Sequence, residues 1–248
     1  MNSEDRSILR FGAYASLLLP VAYAVMGIAL MLDPVEQYRD ERYWTTLAQI
    51  PYYTYTWRIA FGFVGLLALA VIPAAVRLAR PDDGKGAGAL NWFTIIAYLG
   101  SASLAIDCFR GVFLVKDQLL SAYQTGEQSF MLAAKVAVGG GTDVNGVFQY
   151  GGVGLWYTLV GLLLLRRKDL HPGLAWFAIA TGVDYVLTLI FGLTDWFIPG
   201  TQIAMMALLA MLGGTILAPG FHIWLGVVLL RRTAQPQTAA TIAPVAAD

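Results

Sequence analysis

Apolar residues fall in six long runs along the chain, roughly 10–32, 56–77, 91–115, 147–165, 173–193 and 201–230, separated by polar or basic stretches. Each run is near the ~20 residues a helix needs to cross a bilayer, and the last exceeds it. Within the runs, small and polar residues recur every three or four positions, the spacing of one helix face. Ser16, Pro20, Tyr23 and Gly27 line span one, and Arg58, Gly62, Gly65 and Ala68 line span two. Span three carries Gly100, Ser103, Asp107 and Arg110 with Gly111; span four carries Tyr150, Gly154, Tyr157 and Gly161. Thr181, Asp184 and Thr188 mark span five, and Thr215, Pro219, His222 and Gly226 mark span six. Small residues let helix backbones approach closely inside a membrane, where water does not drive them together. The pattern therefore predicts an all-α fold: a six-helix transmembrane bundle forming one membrane domain over residues 1–232. The tail from Thr233 to Asp248, rich in Ala, Thr and Pro and without an apolar face, is expected to be disordered.

Composition agrees with lipid as the solvent. The 248 residues are 58% hydrophobic and 13% charged, against about 25% charged in soluble domains. The run from Phe11 to Leu32 is too long for the apolar region of a signal peptide and is read as the first span. Basic residues then set the orientation. With the N-terminus in the cytoplasm, ten of the sixteen Lys and Arg residues lie on the inner side close to helix ends, and five lie in the outer segments. Both termini are accordingly expected in the cytoplasm, and the chain in a bacterial inner membrane. Tyr38, Tyr43, Trp44, Tyr52, Tyr53, Tyr55 and Trp57 crowd the first outer loop, as an interfacial aromatic belt would. The second outer segment, 116–146, is expected to hold a short surface helix with Leu119, Leu120 and Tyr123 as its contacts, broken at Gly139-Gly140-Gly141. His171, in the basic turn 166–172, reads as a solvated loop residue.

The candidate chemistry lies in the charged members of the stripes. Asp107 and Arg110 sit one turn apart in an apolar span, where charge is costly and normally faces a protein interior. From the helical rise, Asp107 lies about 12 Å, Arg110 about 8 Å and Asp184 about 14 Å inward from the outer ends of their spans. Arg58 begins span two at the same outer side. The shared depth suggests Arg110 held between Asp107 and Asp184, with Arg58 at the mouth. A structural ion pair fixing helix register is the plain reading of that network. A site for protons or a small amphipathic ligand is the functional one. Asp184 is the candidate acid if the chain is instead an enzyme acting on a lipid or isoprenoid. His222, three residues after Pro219, is a secondary candidate for carrying protons. A third reading is a structural subunit with a membrane partner chain.

Several classes fall away. Cys108 is the one cysteine and His171 and His222 the two histidines, which gives no metal set and no pair of axial haem ligands. All four lysines fall in loops, so a retinal Schiff base has no partner. There is no P-loop, and a net charge of zero gives no footprint for nucleic acid. No cofactor is expected. The partners expected are membrane lipid, a small amphipathic ligand and a membrane subunit.

The stretches Gly152–Arg167, Leu170–Trp176 and Phe221–Arg232 carry a Gly-Leu-Trp span, a short basic turn and a Trp-containing helix, in that order. In this the second half resembles a broad group of uncharacterised bacterial multi-pass proteins catalogued as a domain of unknown function. The resemblance implies a multi-pass membrane fold and assigns no catalytic residue.

Overall fold

The computed structural model describes residues 3–37, 42–114, 126, 141–143, 146–194 and 203–234. Of the expected tail 233–248, Thr233 and Ala234 are instead the end of the last helix; the rest of it, the surface helix with Leu119, Leu120 and Tyr123, residues Gly139 and Gly140, and the side chains of Tyr38, Tyr43 and Trp44 lie outside the described residues. Helix α1 spans Ser3–Leu32 and is followed by a 3-10 turn, Pro34–Gln37. A short α2, Arg42–Gln49, precedes α3, Tyr52–Ala79, and α4, Ala87–Leu114. A π turn, Val147–Gly152, runs straight into α5, Val153–Leu164. Helix α6 spans Pro172–Thr194. Finally α7, Ile203–Leu212, passes through a second π turn, Gly213–Leu217, into α8, Ala218–Ala234. Among the described residues, six helical stretches are long and apolar enough to cross a membrane. The protein is a polytopic, all-α membrane protein.

The span boundaries have local causes. Helix α1 starts seven residues before its apolar run because Glu4 and Asp5 suit the positive end of a helix. Helix α3 stops at Ala79 because Pro81 drives Arg80 out of the helical region, to ψ 122°. Helix α6 starts at Pro172, an ideal first residue, and the Nδ1 of His171 accepts the Gly173 N–H at 3.1 Å. His171 is thus the cap of α6 rather than only a solvated loop residue. Its ring also lies 5.3 Å from that of Trp224. The second π turn ends two residues before Pro219, whose ring would clash with the carbonyl four residues back in a regular helix; the wider turn relieves that clash.

The spans form a ring. Helix α1 packs on α3, α3 on α4, α4 on α5 and its π turn, and α5 on α6; α8 closes the circle by packing on both α6 and α1. Consecutive spans are thus neighbours, as short connections dictate. The ring holds together where small residues face each other. A Cβ on Gly154 would come within 2.8 Å of the Gly182 carbonyl oxygen, so α5 and α6 meet backbone to backbone. A Cβ on Gly65 would come within 2.6 Å of the Ser101 carbonyl, joining α3 and α4 in the same way. Large side chains such as Leu19, Val71, Trp156, Val160, Phe221 and Leu225 fill the interior. Phe11, Leu18, Phe63, Ile106, Leu162 and Ile223 point outward, where lipid is their solvent.

The two ends of the ring differ. At one end Arg77 pairs with Asp5 at 3.0 Å, and Asp169 is bound by Arg167 at 3.0 Å and by Arg232. Arg167 and Arg166 also donate to the carbonyls of Arg80 and Lys85, tying adjacent turns together. The two arginines hold the Asp169 carboxyl at about 2, below its ordinary 3.8, the Arg167 hydrogen bonds contributing most. The opposite end is built on buried carboxylates. Asp33 accepts from the Thr54 hydroxyl at 2.6 Å, the Trp57 indole at 3.0 Å and the Val35 amide at 3.0 Å.

Candidate functional site

Two polar groups bear on the predicted site, and they are separate. The first surrounds Asp107 at the carboxylate end. Its Oδ1 accepts from the Thr142 amide at 2.8 Å and the Thr142 hydroxyl at 3.1 Å. Its Oδ2 accepts from the Gln149 side chain at 3.3 Å and the Asp143 amide at 3.4 Å. Asp143 in turn accepts from the amides of Phe148 and Gln149, at 2.9 and 2.6 Å, which are orphan donors at the start of the π turn. Two carboxylates therefore tie Thr142, Asp143 and the start of the π turn to α4. Arg58 lies here too, with its guanidinium carbon 4.7 Å from the Trp57 ring centre and against the backbone of Gly111. Arg110 is partly buried on the same helix and has interactions of its own.

Asp184 does not join them. Its carboxyl group is buried against Gly213 in the second π turn, and neither oxygen has a hydrogen-bond partner among the described residues. The expected bridge of Arg110 between Asp107 and Asp184 is therefore not formed. The physical reason lies in the ring order: α4 and α6 are separated by α5. Equal depth in a bilayer does not bring two helices together when a third stands between them.

The second group lies at the centre of the ring and collects residues from all six spans. A cavity of about 40 Å³ is lined by Leu19 and Tyr23 of α1, Phe61 and Val64 of α3, Ser101 of α4, Gln149, Tyr150 and Tyr157 of the fourth span, Tyr185 of α6 and His222 of α8. Two hydroxyl pairs frame it. Tyr157 Oη lies 2.7 Å from His222 Nε2, and Tyr23 Oη lies 2.7 Å from Tyr185 Oη. The tyrosine rings brace one another edge to face, with Tyr185 5.9 Å from Tyr150 and 5.8 Å from Tyr157. A smaller void of about 10 Å³ lies beyond, and shares Ala68, Ser101, Val153, Tyr157 and His222 with the first. Trp156 lines this second void, and its indole nitrogen has no partner among the described residues. His222 is 1% exposed, and its Nδ1 likewise has no partner among them.

These facts reorder the candidates. His222, secondary in the sequence, stands at the junction of the two voids. Asp107 does not line the cavity; Gln149 both binds it and lines the wall. Asp184 lies one residue from Tyr185, on the far side of the cavity wall. Tyr23, Tyr150 and Tyr157 were legible as stripe members. Tyr185, Gln149, Asp143 and Asp33 were not singled out. The Asp33-Pro34 pair closing span one was the available signal for the last of these. Among the described residues no group of histidine, cysteine and carboxylate side chains could hold a metal ion. No family model, curated protein or solved structure matches the chain.

Proposed function

We propose that this protein handles protons through a hydrated half-channel, entered from the outer face past Gln149 and ending at His222. The observation that carries this reading is the buried imidazole at the centre of the six spans. One nitrogen meets the Tyr157 hydroxyl and the other has no protein partner, beside a void of about 40 Å³. A void above roughly 10–15 Å³ with polar walls has room for water. A water there would satisfy Nδ1 and extend the chain of hydroxyls from Tyr157 towards Tyr23 and Tyr185. Histidine is suited to such a step because it accepts on one nitrogen and donates from the other. Trp156 and the smaller void would form the barrier on the inner side.

The volume favours protons over the other readings. Pockets for organic ligands run from about 300 Å³ upward, so neither an amphipathic ligand nor an isoprenoid fits the cavity in this state. The orientation proposed has the arginine-rich end, and both chain termini, in the cytoplasm of a bacterial cell. The excess of basic residues close to helix ends supports it, and the bacterial setting follows the resemblance of the second half.

The test is proton uptake into liposomes carrying the purified protein and a trapped pH-sensitive dye, driven by a potassium diffusion potential. Wild type is expected to acidify or alkalinise the lumen faster than empty liposomes, and His222→Phe to fall to the empty-liposome rate. Tyr157→Phe keeps the ring contacts and removes the hydroxyl. It is expected to slow flux about tenfold, the rate equivalent of about 1.4 kcal/mol for an ordinary hydrogen bond. Wild-type flux in a folded His222→Phe variant would overturn the proposal.

A further inference from the structure

We infer a second, independent site on the lipid-facing side of α1, which binds the phosphate headgroup of an anionic phospholipid. Ser3, Arg6, Ser7, Arg10, Phe11 and Tyr14 line an open-sided hollow of about 340 Å³ on one face of that helix. Their spacing of three and four residues puts two guanidinium groups and two hydroxyls on one stripe, one turn apart. At the same end Arg77, Arg167 and Arg232 are each paired with a carboxylate. Among the described residues Arg6 and Arg10 have no carboxylate partner, although Asp5 is next in sequence and is taken by Arg77. Two guanidinium groups set with two serine hydroxyls in one hollow at a membrane surface suit an anion from outside the chain.

The apolar residues that follow identify which anion. From Phe11 the exposed side of α1 continues through Tyr14, Leu18, Val21, Val25 and Ile28, all exposed. A free phosphate would use the charges and ignore this track. A phospholipid uses both, with its phosphate oxygens accepting from Arg6, Arg10 and the serine hydroxyls while an acyl chain lies along Phe11, Tyr14 and Leu18. Arginine is the residue suited to this, since its planar fork matches two phosphate oxygens at once.

The experiment is native mass spectrometry of the full chain released from detergent, titrated separately with phosphatidylglycerol, phosphatidylcholine and inorganic phosphate. Phosphatidylglycerol is expected to give one tight adduct that survives activation, with phosphatidylcholine and inorganic phosphate weaker. In the double variant Arg6→Gln/Arg10→Gln the tight adduct is expected to weaken about thirtyfold, the equivalent of about 1 kcal/mol for each arginine near an anionic headgroup. The control is Lys168→Gln/Arg231→Gln, which removes the same charge from exposed residues at the same end and should leave the adduct in place. Equal loss in both double variants would reduce the effect to general surface charge and overturn the site. So would equal binding of the two lipids, or a phosphate adduct as tight as the phosphatidylglycerol one.

Discussion

Single side chains here act by where their second hydrogen bond goes. His222 has one ring nitrogen bonded to Tyr157 and the other without a partner among the described residues, which is why it carries the functional proposal, whereas both oxygens of Asp33 and of Asp107 already accept hydrogen bonds. Asp169 is the clearest electrostatic case. Arg167 and Arg232 hold its folded value at about 2, beneath the ordinary 3.8. A carboxyl lowered on folding stabilises the protein above its unfolded value and loses that contribution as pH falls through the folded one. Half of the side chain is exposed, so the gain stays under about 1 kcal/mol. Melting of wild type and Asp169→Asn should therefore differ slightly above about pH 4, and the two curves should merge below about pH 2. A difference that persisted at the acid end would point to lost packing in place of lost charge.

Helices in this ring are positioned by missing side chains as much as by present ones. At Gly154 and Gly182 the α5 and α6 backbones meet with no room for a Cβ. Gly182→Val should force them apart and destabilise the fold by about 1–3 kcal/mol or more, the range for overpacking a filled interior. Gly27 makes the contrast, because a Cβ there would meet nothing within 4 Å. Gly27→Ala should be neutral or raise stability by up to about 1 kcal/mol through helix propensity. Thermal unfolding in one detergent, followed by circular dichroism, measures both; equal melting temperatures for the two variants would contradict the close approach. The π turns belong to the same scale. Each widens a span next to the polar centre, one presenting Tyr150 to the cavity and the other seating Gly213 against Asp184. Such turns recur at functional sites, where they re-aim a side chain without ending the helix.

Among the described residues, six consecutive antiparallel spans bring the first helix beside the last, with the start of α1 and the end of α8 on the same side of the ring. In a Cys108→Ser background, Gly126→Cys should react with a membrane-impermeant maleimide on intact cells, and Gly84→Cys only after the membrane is opened. The reverse labelling would invert the orientation and with it the direction of the half-channel. The closed ring also explains why the polar centre is shared so widely. A bundle of six has one axis, and side chains that cannot face lipid collect there from every span.

The residues that carried the resemblance illustrate how much a sequence of this kind can say. Gly154, Gly161 and Gly226 are each at a close approach between helices, and Trp156 fills the core. Their pattern reports a membrane fold. The span count, the helix faces and the stripe residues Tyr23, Tyr157 and His222 were all legible along the chain, because bilayer thickness and helical period act locally and leave their mark in local spacing. Distance along a helix can be counted from the sequence in the same way. Angular position cannot: which side of the ring a residue faces follows from how all six spans close. That closure placed α5 between Asp107 and Asp184, left Asp184 against a glycine, and gave the centre to four tyrosines and one histidine.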